Sequence, residues 1–551
     1  MSSRDHVTGS RESELAAFID ELVGELQPLE LAHNQAYWLA NTTGDARHEA
    51  ESARLDAAMR KVFARREPYE RLSRLVDGGP LAESLLDRQL RLLHDAHRAR
   101  QLPSEVIDEQ VRLEKSLESR FNQFRAELDG RRVTDNELVD ILRTSDDVDT
   151  RRRAWEASKQ IGREVEPDLL RLVRSRNEGA RRLGFPDFYT MSLELDELDA
   201  RELIALFDEL ERETAPLWRE YKGELDRQLA RRFRVSADAL APWHYADPFF
   251  QEAPPAEASL DGFFANQDLV AITSRYFAAV GFDVAGLIAG SDLFERPGKC
   301  QHAFSMSIDR GEDVRVLCNV RATERWMATL LHEYGHAVYD RHVDRSLPWL
   351  LRTQAHTLTT EASAMLFGRL SKRAPWLRRW AGADERELER HAEQVERAVR
   401  RQLLVQSRWE MVMVHMERAL YQDPEQDLRA LWWRLVERFQ GVRCPGGRHE
   451  PDWAAKIHFS VAPVYYHNYQ LGEMLASQLQ DHLLRRVLGG GRDVWDRYVN
   501  SSDVGVFLER ELYAPGKRWD WRELTRRATG RALESRPFVA ELAGSDHSAV
   551  A

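Results

Sequence analysis

The stretch TLLHEYGHAVYD, Thr329 to Asp340, decides how the chain is read. His332 and His336 stand four residues apart, which on a helix puts both imidazoles on one face at chelating distance. Glu333 lies between them, beside the metal face without being a ligand, where a base that takes a proton from water has to stand. Trp326, Met327, Leu330 and Leu331 precede the motif and mark the helix as buried, and Pro348 lies beyond its end.

A catalytic zinc site has three protein ligands and one open position, so a further ligand is expected on a second helix packed against the first. Downstream, HTLTTEASAMLFGRL supplies Glu361 in a helical pattern with Leu358, Met365 and Leu366. That places a carboxylate on the inward stripe, which is costly unless it is paired with an arginine or bound to a metal. His356 falls off that face, and the glycine pattern of the three-histidine proteases is absent. The expected cofactor is one Zn2+ held by His332, His336 and Glu361.

Composition sets the frame around this motif. The chain has 551 residues, 43% hydrophobic and 31% charged, near globular norms. Gly (30) and Pro (20) are few for this length, which favours long helices over many short strands. The net charge of -12 removes the electrostatic footprint of nucleic-acid binding. No segment reads as a signal peptide or a membrane span, so a soluble, cytoplasmic protein is expected, with no membrane partner. Three cysteines (Cys300, Cys318, Cys444) cannot supply a disulfide framework.

Amphipathic helical patterns run from Glu12 to about Arg234, for example Leu81-Leu85-Leu86-Leu90-Leu93. Leu240 to Ser259, LAPWHYADPFFQEAPPAEAS, breaks them as a long structured loop. Between Lys299 and Val320 lies the one convincing β signal, a hairpin whose turn contains Asp309, Arg310 and Gly311. Helices resume over Glu385 to Tyr421, Leu428 to Phe439 and about Val464 to Val487. The expected fold is mainly α: one large two-lobed helical unit over residues 12–543, with a small hairpin. Within it the metal site spans 299–370 and a second functional segment 451–487. Residues 1–11 and 544–551 are expected to be disordered.

That second segment contains AAKIHFSVAPVYYHNYQLGEMLASQL, Ala454 to Leu479, which gathers Lys456, His458, Tyr465, Tyr466, His467 and Tyr469. Hydrolysis at a metal develops an oxyanion, and tyrosine hydroxyls or an imidazole N–H are the neutral donors that stabilise it. Tyr466 and Tyr469, three apart, project together on a helix.

Taken together, these residues resemble the angiotensin-converting-enzyme-like zinc peptidases and, more distantly, thimet oligopeptidase and oligoendopeptidase F. LAHNQAYWLANTTGD near the start, the Cys300/Cys318 spacing around the hairpin, LLHEYGH with Glu361 25 residues after His336, KIH at Lys456–His458 and DPFFQ at Asp247–Gln251 carry the likeness. The resemblance implies two lobes closing on a deep central groove with the small hairpin at its active site, that Glu333 acts as base and then acid and that His458 with Tyr469 stabilises the oxyanion. It also implies that Gln251, Lys456 and Tyr465 grip the terminal carboxylate of a substrate. Direct counting from Lys456 and His458 puts the second family tyrosine on Asn468 and a one-residue shift puts it on Tyr469, so the first is Tyr465 or Tyr466. The hairpin around His302, Ala303 and Phe304 would pair with the peptide backbone as an added strand. The implied activity is release of C-terminal dipeptides from short peptides, with cutting of internal bonds as the alternative. The expected state is a monomer or weak oligomer.

Overall fold

A computed structural model of the chain describes residues 3–254 and 259–544. It is mainly α-helical, as expected. The first helix is Ser3–Thr43. Residues 1–2 and 545–551 lie outside the described residues, as do 255–258 within the expected loop. Four helices follow as far as Gln123; the apolar stripes of the first three close on the first helix around Leu15, Leu72 and Leu90, while the fourth, Ser104–Gln123, turns Leu113 and Leu117 into the main core.

The main core is continuous from Leu113 to Leu542 and contains most of the remaining helices. Its scaffold includes three long helices, Gln160–Arg182, Ala200–Phe233 and Glu385–Gln422. The last of these and Leu428–Gln440 end within a residue or so of their expected limits. The helix expected over 464–487 is shorter, His467–His482, and is continued by a wider turn to Val487.

Among the described residues there are two hairpins, not one. Ala126–Leu128 pairs with Arg131–Val133 around Asp129-Gly130, both at positive φ. Asp-Gly between alternating residues is a type I′ hairpin signal, and it was legible in the sequence. The expected hairpin joins Phe304–Ser307 to Val314–Leu317, with Ser305 opposite Val316. Asp309 closes its turn by accepting from the backbone N–H groups of Gly311 and Asp313. The first helix clamps this hairpin: Glu30 binds the Arg310 guanidinium, Asn34 donates to the carbonyl oxygens of Ser307 and Ile308, and Trp38 packs with Ile308 and Leu317.

Candidate metal centre

Two glycines bring the ligand helices together. The HExxH helix, Glu324–Arg341, is capped by Thr323, and the glutamate helix, Thr357–Gly368, by His356. A Cβ on Gly335 would lie 2.8 Å from Ala364 Cα, so only glycine lets the two backbones meet. The Ser363 hydroxyl spans the contact by donating to the Gly335 carbonyl at 2.9 Å. Gly472, on the helix His467–His482, plays the same part against the other flank, where a Cβ would lie 3.0 Å from Glu361 Cβ.

The outcome is that His332, His336 and Glu361 converge, with one donor atom from each lying within 4.8 Å of the others. The imidazole planes are 85° apart at a centroid distance of 4.9 Å. His332 Nε2 is 4.0 Å from the Glu361 carboxylate. Arg369, at the end of the glutamate helix, does not neutralise Glu361, because its guanidinium is held by Glu473 and Glu541. His356 is committed elsewhere, with Nε2 on the Asp196 carbonyl and Nδ1 accepting from the Leu358 N–H.

Burial pushes His332 down to about 4 and, with His332 beside it, His336 down to about 3. Burial and then Glu473 push Glu361 up to about 7. Two neutral imidazoles and a carboxyl group without a cationic partner form a donor set that a divalent cation would stabilise. His336 Nδ1 stands 2.7 Å from the Thr360 hydroxyl. When Nδ1–H donates to that oxygen, Nε2 is left as the metal-facing atom. The residues therefore fit a zinc ion.

Glu333 is buried and outside the ligand set; burial and then Glu361 push it up to about 8, against a hydrogen bond from the Ser305 backbone N–H. Ser305 belongs to the strand Phe304–Ser307, which pairs with Val314–Leu317 on one side and has no strand on its other side among the described residues. His302 is exposed and Ala303 half-buried just ahead of it. Cys300, Cys318 and Cys444 are free thiols. The hairpin base is held by the buried Lys299 ammonium, which donates to the carbonyl oxygens of Asp292, Phe294 and Cys318.

A cavity of about 330 Å³ borders His332 and Glu333 and reaches Gln402. Gln402 accepts from the Ala253 N–H, two residues past Gln251. The Asp247 carboxylate takes the backbone N–H groups of Phe249, Gln251 and Glu252, and this presents the Gln251 side chain to Lys456. Lys456 Nζ donates to Gln251 Oε1 at 2.8 Å and lies 5.2 Å from the Phe249 ring and 5.1 Å from the Trp409 ring. Burial pushes Lys456 down to about 8, opposed by Asp247 and Glu252.

The tyrosines separate. Tyr466 packs on His458 at 4.8 Å between ring centroids, on Trp409 at 6.0 Å, and has Lys456 Nζ 5.9 Å from its centroid. Tyr465 packs on Tyr469 at 5.2 Å, a ring that Tyr466 also meets at 5.7 Å, and the Tyr465 hydroxyl pKa is raised by burial and then by Glu361. Tyr469 likewise feels Glu361 after burial, while His458 has a buried Nδ1 with no partner. Sequence reasoning missed Thr360, Ser305 and Trp409, since a hydroxyl, a backbone N–H and a core tryptophan acquire these roles only through packing.

A family model described as angiotensin-converting enzyme matches residues 9–245, a span that ends before the hairpin and the HExxH helix. The inactive angiotensin-converting enzyme-related protein of Caenorhabditis elegans is 21% identical over 447 residues, covering 73% of this chain and 48% of that protein. The chain thus spans about half the length of the curated relative it matches. These likenesses agree with the angiotensin-converting-enzyme resemblance; the more distant one to thimet oligopeptidase and oligoendopeptidase F gains no support from them. No helix among the described residues is long and apolar enough to cross a membrane.

Proposed function

We propose that the protein is a zinc metallopeptidase that releases dipeptides from the free C-terminus of short peptides, working as one two-lobed unit over residues 12–543. The observation that carries the dipeptidase reading is Lys456: a largely buried ammonium, hydrogen-bonded to Gln251 and ringed by aromatics, with no ion-pair partner among the described residues. An ammonium desolvated in this way is matched by a carboxylate brought in by a ligand. His332, His336 and Glu361 would hold the zinc, which when bound supplies Lewis-acid polarisation of the scissile carbonyl and a lowered water pKa.

The chain's own residues do the rest. Glu333 accepts the proton of the attacking water and passes it to the leaving amine. His458 and Tyr469 donate to the developing oxyanion. Lys456, Gln251 and Tyr466 hold the terminal carboxylate, and the Phe304–Ser307 edge, entered through His302 and Ala303, aligns the backbone. Mass-spectrometric mapping of products from matched free and C-terminally amidated peptides, with and without a chelator, tests this reading. Dipeptides should appear only from free termini and only with metal; equal cleavage of amidated peptides would show internal cutting instead. The printed name of the worm relative favours a second reading, peptide binding without turnover. The ligand set together with Glu333 supports turnover, and a metal-loaded protein that binds these peptides but leaves them intact would establish the second reading.

A further inference from the structure

His458 and Tyr466 stand eight residues apart in sequence, where a fully extended chain would span about 26–29 Å. Their rings nevertheless meet at 4.8 Å between centroids, so the segment between them doubles back. Within it the Ala462 N–H donates to the His458 carbonyl at 3.0 Å and closes a turn. Two other helices hold the rest. From Gln160–Arg182, the buried Arg176 guanidinium donates to the carbonyl oxygens of Phe459 and Ser460, and Glu114 pairs with its charge at 2.7 Å. From Glu385–Gln422, the Glu417 carboxyl group accepts the Val464 N–H at 2.7 Å.

Val464 is in an unusual conformation. Its φ is 54°, and among the described non-glycine residues at positive φ it alone is β-branched. A branched Cβ is poorly tolerated in the left-handed region, so such a residue persists only where its surroundings hold it. Two groups do so here: the Val464 side chain is buried in the main core, and Glu417 takes its N–H. Glu417 is buried as well, and burial pushes it up to about 8, against the Val464 N–H and Arg176. Near pH 7 it is mostly the uncharged acid, whose carbonyl oxygen accepts a hydrogen bond as an amide oxygen would.

The helix that carries Glu417 also presents Trp409, which lies 6.0 Å from the Tyr466 ring and 5.1 Å from Lys456 Nζ. One helix thereby meets Lys456, Tyr466 and the turn that joins His458 to Tyr466. Glu417 does not border the cavity beside His332 and Glu333, so its reach to a substrate runs through the segment it holds. We propose that Glu417 is a positioning residue of the peptidase site: by holding the Val464 N–H it keeps the left-handed turn that sets Tyr466 against His458. The inference rests on the peptidase reading above, in which His458 donates to the oxyanion and Tyr466 holds the terminal carboxylate.

Variants of the zinc-loaded full chain test it. Glu417→Leu keeps most of the volume and removes the acceptor, whereas Glu417→Gln keeps an acceptor oxygen. For a peptide with a free C-terminus, kcat/KM per folded molecule should fall about 10- to 100-fold in Glu417→Leu and stay within about threefold of wild type in Glu417→Gln. Zinc content should be the same in all three proteins. Hydrogen exchange over residues 457–466, followed by mass spectrometry, should quicken in Glu417→Leu and not in Glu417→Gln. Val464→Gly makes a positive φ free of steric cost, so adding Glu417→Leu to it should cost about threefold or less. That pair also serves if Glu417→Leu folds poorly by itself. Equal losses in Glu417→Leu and Glu417→Gln, or a full loss on adding Glu417→Leu to Val464→Gly, overturn the proposal. The two readings separate in the same experiments. Active wild-type protein whose Glu417→Leu variant matches it in kcat/KM and exchange removes the positioning role alone. Wild-type protein that leaves peptides intact, while residues 457–466 still respond to Glu417→Leu, removes the peptidase reading alone.

Discussion

Replacing Lys456 by Met removes the ammonium while keeping most of the stem that packs against Phe249 and Trp409. Two opposite effects should follow. In the free protein burial pushes the pKa from 10.5 down to about 8, so the charged form is penalised on folding by about 3–4 kcal/mol. Because the folded pKa lies below the unfolded one, the folded state binds fewer protons between about pH 8 and 10.5, and this group's contribution to stability rises with pH across that window. Below pH 8 the penalty is present in full, so the Met variant should melt no lower than wild type at pH 7. Catalysis should move the other way. Losing one partner of a buried charge-assisted contact costs about 2–4 kcal/mol, or about 30- to 1000-fold in kcat/KM for peptides with a free carboxylate. Amidated peptides should be cut equally poorly by both proteins. The wild-type KM for free peptides should rise above about pH 8 as the ammonium deprotonates, and that limb should be missing from the variant. Thermal melts and steady-state kinetics from pH 6 to 10 measure all of this. If free peptides lose no more than amidated ones, or the variant is destabilised at pH 7, the carboxylate-holding role of Lys456 is refuted.

Gly335→Ala drives a Cβ to 2.8 Å from Ala364 Cα, so about 2–4 kcal/mol of stability and most bound zinc should be lost, read by thermal melts and elemental analysis. Thr360→Ala should leave the melting temperature nearly unchanged but weaken zinc binding about 10- to 100-fold, measured by competition with a chromophoric chelator; wild-type affinity would exclude an orienting role for that hydroxyl. Glu333→Gln should retain zinc and peptide binding while kcat falls about 10²- to 10⁴-fold, and unaltered turnover would overturn the catalytic assignment. Tyr466→Phe should raise KM for free-carboxylate peptides more than Tyr465→Phe does, because only Tyr466 packs beside Lys456; the reverse ranking would restore Tyr465 to the carboxylate trio.

The sequence by itself determined the helical class, the long helices ending near Gln422 and Gln440, the main hairpin, and His332, His336 and Glu361 as a set. Each is written in a short-range pattern: an i, i+4 pair, an apolar stripe interrupted by one carboxylate, or alternation around a turn. It also holds the Asp129-Gly130 hairpin signal, whose flanking strands are only three residues long. Tertiary structure decided what depends on distant segments meeting. Glycines 335 and 472 set how closely three helices approach, and that distance turns His332, His336 and Glu361 into one donor cluster. Asp247 orders a loop so that Gln251 reaches a lysine 205 residues away. Lys456 stands beside the Tyr466 ring and Glu361 acts on the Tyr465 hydroxyl, neighbours that no count along the chain could assign. Periodicity specifies which face of a helix is buried; it leaves open which partner that face meets, and both the charge state of a buried group and the reach of its neighbours depend on that partner.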